Sequence, residues 1–227
     1  MKSTKYIQIK DIPIILHTID SYSIYWDYWF YFFNKHCSQY FENVIFCPET
    51  KIPSFHDKVK VFHTGHGEWG KRLMKILENL DCKYIFYMQE DFWPISVFPF
   101  TQQLCNLFQK DNLDCFRISS LCNYYLLDKL DKNIYQYKQF SPYTMSHQFS
   151  MWDKDFFYNA LLPNEDPWTN ENEGSIRINA GRPHKIYYIP SDWYHATVRS
   201  GKLTEIGKIM KQEVLNCQQN GINALLT

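Results

Sequence analysis

Short apolar runs alternate along this chain with stretches of helical periodicity, and that alternation constrains its fold more than any other feature. Residues 12–17 (IPIILH) form a brief apolar run between polar neighbours, which predicts a buried strand. Ser and Asp residues within 18–23 can cap a helix, and the aromatic stretch 24–33, charged only at Asp27, predicts that helix. Residues 43–47, closed by Pro48, and the alternating 59–62 predict two more strands. Within 69–80, Leu73, Ile76, Leu77 and Leu80 share one helix face, and the apolar run 82–88 then leads straight into Glu90 and Asp91.

The same pattern continues to the end. Residues 98–108 predict a helix, 114–118 a strand, 135–138 an edge hairpin strand, and 148–152 lead into a helix over 154–162 that Pro163 stops. A late strand is expected at 185–189, and Leu203, Ile206, Ile209, Met210 and Val214 mark a final amphipathic helix fading before Gly221. Strands alternating with helices predict an α/β chain with a mostly parallel central sheet flanked by helices. At 227 residues the chain suits one domain of generous size.

Charge and cysteine usage narrow the function classes. Lys plus Arg equals Asp plus Glu at 24 each, so no overall positive field exists to hold a phosphate backbone, and nucleic acid is not an expected partner. The seven cysteines, Cys37, Cys47, Cys82, Cys105, Cys115, Cys122 and Cys217, stand singly without C-x-x-C spacing, as expected of reduced thiols in the cytosol. The opening residues, Met1 to Lys5, lead into a mixed segment without the apolar run of a signal peptide, and no stretch reaches the roughly 18 apolar residues of a membrane span. Any membrane contact is expected to be peripheral. Aromatic residues make up 18% of the chain, enough for a bulky core and for flat surfaces on which sugars or bases stack.

Gln89-Glu90-Asp91-Phe92-Trp93 is the strongest chemical signal. Two adjacent carboxylates after a buried strand must face solvent, a cation or a hydrogen-bonding ligand, because packing does not explain them. Neighbours on an extended chain point to opposite faces, so both reach one ion only if the backbone turns after Met88. Asp91 is therefore the expected metal ligand, with Glu90 supporting it or binding substrate; hard oxygen ligands suit Mg²⁺ and Mn²⁺ alike. A solvated acidic turn is the other reading of the pair.

Taken together, residues 12–47, Trp69-Gly70-Lys71-Arg72-Leu73, the Gln89 to Trp93 block, Ser150-Met151-Trp152 and the run Pro167-Trp168-Thr169-Asn170-Glu171-Asn172-Glu173-Gly174-Ser175 resemble a group of microbial and viral GT-A-type glycosyltransferases. The resemblance spans nearly the whole chain and lies in the order of its motifs. It implies a single GT-A domain over 1–227, with a nucleotide-binding half over about 1–95 and an acceptor-binding half over about 96–227. Glu90-Asp91 then stands as a variant of the D-x-D motif, with Gln-Glu-Asp where the strict motif has Asp-x-Asp.

The resemblance also implies site roles. The turn after the first strand, Thr18, Asp20 and Tyr22, would hold the donor's nucleobase and ribose, Asp20 being equally readable as a helix cap. Trp69, Lys71 and Arg72 open a helix whose N–H groups and cations could meet the donor. Glu171 would be the catalytic base, one helical turn from Trp168, which with Trp93 would receive the acceptor. His195 would complete the metal shell beside Asp91, and Lys202, with Arg199 and Gly201 in a flexible basic loop, would fold over the diphosphate. The function implied is transfer of a sugar from a nucleotide-sugar donor to a hydroxyl on a glycan or glycoconjugate, inverting if Glu171 is the base. The alternative is a non-catalytic glycan- or nucleotide-binding domain of the same fold.

Overall fold

The computed structural model describes residues 6–119 and 126–219. Met1 to Lys5, Cys122 and Gly221 lie outside the described residues. The chain folds around a nine-stranded sheet in the order β3-β2-β1-β4-β9-β6-β10-β8-β7. These strands are β1 (Ile14–His17), β2 (Val44–Cys47), β3 (Lys60–Val61), β4 (Tyr84–Gln89), β6 (Cys115–Ser119), β7 (Leu127–Asp131), β8 (Ile134–Tyr137), β9 (Ser150–Asp153) and β10 (Ile186–Pro190). β1, β2, β3 and β4 are mutually parallel, as are β6 and β10. Only β9 and β8 run against the other strands of this sheet, so the sheet is mostly parallel, as its alternation with helices predicts.

Sequence pattern alone marked neither the edge strand β7 nor, in the middle of the sheet, β9. β9 joins β4 to β6, with Phe86 opposite Met151 and Met151 opposite Phe116. Its Ser-Met-Trp-Asp is too short for a periodic signal, and only burial on both faces makes it a strand.

Alternation along the strands divides the core into two layers. Ile14, Leu16, Tyr84, Phe86 and Met88 face the layer filled by the aromatic helix α1 (Ser23–Cys37), where Trp29 stacks on Phe33 at 4.8 Å and Phe30 on Phe55 at 4.3 Å. Ile15, Ile85 and Tyr87 face the opposite layer with Leu73, Ile76 and Leu77 of α2 (Trp69–Glu78), Phe157 of α4 (Lys154–Asn159) and Ile178 of α5 (Pro167–Ala180). The high aromatic content therefore serves mainly the core: of the seven tryptophans, only Trp168 is exposed.

Two expectations shift locally. The helix expected over 98–108 is α3 (Gln102–Asp111), because Phe98 and Phe100 enter the core while the Thr101 hydroxyl caps the Leu104 N–H. The basic loop near Lys202 is a hairpin of β12 (Val198–Arg199) and β13 (Lys202–Leu203). Its turn residues Ser200 and Gly201 both take positive φ, 49° and 75°, the arrangement of a two-residue type I′ turn. The last helix is α6 (Glu205–Gln219). The six described cysteines are free thiols, and no described helix is long and apolar enough to cross a membrane.

Candidate active site

The carboxyl ends of β1, β2 and β4 meet along one edge of the sheet, the place where open α/β sheets bind ligands. After Gln89 the chain reverses in two residues, Glu90 and Asp91, into β5 (Phe92–Pro94), which pairs with β11 (Tyr194–Ala196). The reversal is locked from behind. Thr197 donates its N–H (2.8 Å) and hydroxyl (2.9 Å) to the Asp91 carbonyl, and Trp93 Nε1 donates to the Glu90 carbonyl at 3.0 Å. The turn needed to bring the two carboxylates into each other's field is thus present.

Their electrostatics are unfavourable without a partner. Burial, then the charge of Asp91, pushes the Glu90 carboxyl well above its usual range, against a hydrogen bond from Thr18 and the charge of Arg72. Burial, with the charge of Glu171 adding to it, pushes Asp91 up to about 7. Asp91 is only partly buried as a residue, yet its Oδ1 is fully enclosed and has no hydrogen-bond partner.

Glu171 reaches this crevice from α5. Asp166 caps that helix through the Thr169 N–H (2.8 Å) and Pro167 opens it, so Trp168 and Glu171 lie one turn apart as their spacing predicts. Glu171 Oε1 accepts from the Ser146 hydroxyl (3.0 Å) and the His147 N–H (2.9 Å). Trp168 is 63% exposed at the head of the helix.

Beneath the carboxylates lies a set of buried polar atoms without partners: His17 Nδ1, Trp69 Nε1, Tyr87 Oη, His147 Nδ1 and Gln148 Oε1. The rings adjoin, Trp69 to His147 at 4.5 Å, Trp69 to His17 at 5.7 Å and Tyr87 to His147 at 5.6 Å. Hydrogen-bond chemistry fixes both tautomers. Arg72 can only donate, so His17 Nε2 (2.8 Å) accepts and its Nδ1 carries the proton. Asn170 gives its amide N–H groups to Ala160 O and Glu165, so its Oδ1 accepts from His147 Nε2 (3.0 Å) and leaves Nδ1 a bare acceptor. Burial holds both rings neutral, His147 down at about 3. Such a concentration of unmet donors and acceptors at one edge calls for water or ligand.

Other expected site residues have structural duties. Trp93 is 0% exposed and stacks on Tyr28 and Phe32 at 5.6 and 5.7 Å, so it offers no face to an acceptor. Every guanidinium nitrogen of Arg72 is engaged: Nε with Thr64 at 3.0 Å, Nη2 with His17 and the Thr18 carbonyl, Nη1 with Glu49 at 3.3 Å. It is buried there, 3% exposed, within this network. The Asp20 carboxylate is filled by the Thr50 hydroxyl (2.6 Å) and the N–H groups of Glu49, Thr50 and Lys51, neither capping α1 nor facing a ribose. Burial alone would raise its pKa; these bonds outweigh it and hold the carboxyl low.

Thr18 is buried, accepting from Trp26 Nε1 at 2.8 Å and bonding Glu90, so it acts on the acid pair. Tyr22 is half-buried within the field of Glu90 and Asp91 and lies against Gly201 at the hairpin tip, where Tyr25 Oη donates to the Gly201 carbonyl at 2.9 Å. Lys202 stays exposed on that hairpin. His195 pairs across from Trp93, on the ribbon face opposite Tyr194 and Phe92, and among the described residues no cluster of three His, Cys, Asp or Glu is disposed to hold a metal. Sequence reading passed over Ser146, His147 and Gln148; their signal was a polar run directly before a buried strand, the counterpart of Glu90-Asp91 after one.

No family model matches the sequence, and no curated protein matches it either. Solved structures do. The chain is similar to S. aureus TarS 1–349 at 12% identity, covering 95% of this chain and 70% of that one with a TM-score of 0.56. The complex of the same TarS segment with UDP aligns at 12% identity over 90% and 66% of the two chains, TM-score 0.58. UDP-glucose pyrophosphorylase complexed with UDP-glucose aligns at 10% identity over 92% and 99%, TM-score 0.54. At such identities the likeness concerns the fold, a mixed α/β sheet flanked by helices.

Proposed function

We propose that the protein is a glycosyltransferase that moves a sugar from a nucleotide-sugar donor to a hydroxyl of a glycan or glycoconjugate acceptor. The observation that carries this reading is the convergence of Glu171, oriented through Oε1 by two donors, on the turn that bears Glu90 and Asp91. The fold shared with UDP- and UDP-glucose-bound structures supports a nucleotide-sugar donor.

In this reading the donor lies along the strand ends with Tyr22 as an aromatic wall, Trp69 below and the Lys202 hairpin alongside. Glu171 Oε2 takes the proton of the acceptor hydroxyl, the hydroxyl oxygen bonds to the anomeric carbon, and the bond from that carbon to the diphosphate oxygen breaks. Attack opposite the leaving group inverts the anomeric centre. Trp168, exposed one turn from the base, supplies a flat face for an acceptor sugar.

A hard divalent cation, Mg²⁺ or Mn²⁺, fits the acid turn, because Asp91 offers a buried, unpartnered carboxylate oxygen next to a second carboxylate. When bound, such an ion would neutralise charge developing on the leaving diphosphate. His195, which pairs across from Trp93 on the β5–β11 ribbon, is given no part in this scheme. The free thiols suit a reducing compartment such as the cytosol.

Glu171→Gln tests the assignment. Transfer from UDP-GlcNAc or UDP-glucose should fall by about 10²–10⁴-fold, while UDP still raises the melting temperature as in the parent protein. Undiminished turnover in this variant removes Glu171 as base; UDP binding without sugar release at any Mn²⁺ concentration leaves a non-catalytic binding domain.

A further inference from the structure

Arg117 of β6 is a buried charge that the scheme above leaves unused. It is 2% exposed, and among the described residues no carboxylate forms a salt bridge with it. Burying a guanidinium is costly unless its hydrogen bonds are well made. Here Nη1 donates to Tyr137 Oη (2.9 Å) and the Tyr143 carbonyl (3.0 Å) and Nη2 donates to the Thr144 carbonyl (2.9 Å), while Nε has no partner among the described residues. The group also lies over the Tyr137 ring, 4.9 Å from its centroid.

The two clamped carbonyls belong to the loop that carries Ser146 and His147 to Glu171. That loop runs beside α5 and bonds to it at intervals of one turn. Asn179 takes the Phe140 N–H (3.1 Å) and donates to the Ser141 carbonyl (2.9 Å), Ser175 accepts the Met145 N–H (3.0 Å), and Glu171 accepts from Ser146 and His147. Phe140 and Tyr143 take left-handed φ values of 64° and 56°, which bulky residues adopt only when held. Arg117 supplies a hold from the sheet side, directly at the strained Tyr143.

We propose that Arg117 is a positioning residue for Glu171: by fixing the carbonyls of Tyr143 and Thr144 it sets the direction of the next residues, whose hydroxyl and N–H orient Glu171 Oε1. Glu171 is also the carboxylate whose charge bears on Arg117 through space. The catalytic consequence rests on Glu171 acting as the base; the clamp itself does not.

Arg117→Met and Arg117→Lys separate the two. With UDP-GlcNAc or UDP-glucose as donor, Arg117→Met should lower kcat roughly 10- to 100-fold at unchanged donor KM, because a small misplacement of a catalytic group costs rate rather than donor binding. Arg117→Lys keeps the charge but not the two-armed reach and should recover part of that loss. Amide hydrogen exchange at His147 reads the clamp without turnover and should quicken in both variants. Unchanged kcat, or unchanged protection at His147, overturns the proposal, and Arg117→Lys alone carries the test if the methionine variant does not fold. Absence of transfer in the parent protein would instead refute the transferase reading and leave the exchange experiment to decide on the clamp.

Discussion

The two sides of the crevice treat their charged groups in opposite ways, although His17 Nδ1 on the β1 side is unmet. On the β1–β2 side every charge is absorbed: Asp20 is filled by residues 49–51, and Arg72 spends each nitrogen on His17, Thr18, Thr64 and Glu49. On the β4–α5 side Asp91 Oδ1, His147 Nδ1 and Tyr87 Oη are buried and unmet, and Glu90 and Asp91 repel each other. A saturated charge holds the fold together, whereas unmet buried groups gathered at the strand ends leave room for a partner from outside. The distinction redirects attention from Arg72 and Asp20, the more conspicuous residues, to Glu171 and the groups around it.

Removing a saturated group should therefore cost stability. Arg72→Met leaves His17 Nε2 and the Thr18 carbonyl without this donor and removes the charge facing Glu49, and should destabilise by about 3–5 kcal/mol in urea unfolding. A loss below roughly 1 kcal/mol would mean that the network is not what binds β1 to α2.

The unsaturated side should instead show in its pH dependence. His147 stays neutral in the fold, its pKa at about 3 against 6.5 for the free group, so the folded state binds fewer protons than the unfolded chain between these values. Stability is then present above about 6.5 and is lost as pH falls, by about 2 kcal/mol from this ring between pH 6.5 and 5. His17, His36 and His184, also lowered by burial, act in the same direction and the raised Glu90 and Asp91 against it, so His147→Gln should make the acid-side slope of the melting temperature shallower by this ring's share. An unaltered slope would show that His147 is protonated in the fold or reached by solvent.

The smallest effect has the opposite sign. Asp91 is raised to about 7, so above that pH the folded state carries a charge it disfavours. Asp91→Asn should raise stability at pH 8 by about 1 kcal/mol, the partial exposure of the residue screening the rest, and should abolish any stabilisation by Mn²⁺. A destabilised variant would place Asp91 with the saturated groups and dissolve the contrast.

Much of this was legible in the chain. The βαβ rhythm gave the strand ends, the apolar run before Glu90-Asp91 gave the turn, and the i, i+3 spacing of Trp168 and Glu171 survives in α5. Misreadings fell where a residue's type agreed with two environments. Trp93 looks the same whether it lines a groove or stacks under α1, and Arg72 has the same sequence signature whether it meets a phosphate or a buried histidine.

Sequence by itself determined the local periodicities, the balance of charge and the order of the strands along the chain, because these depend on residue spacing of a few positions. Tertiary structure alone decided that β9 enters the middle of the sheet, that residues 140–147 lie along α5, and that Arg117 and Glu171 share one loop between them. Those are contacts between segments tens of residues apart. What settles them is which buried donors and acceptors find one another, and only the packed fold brings those groups together.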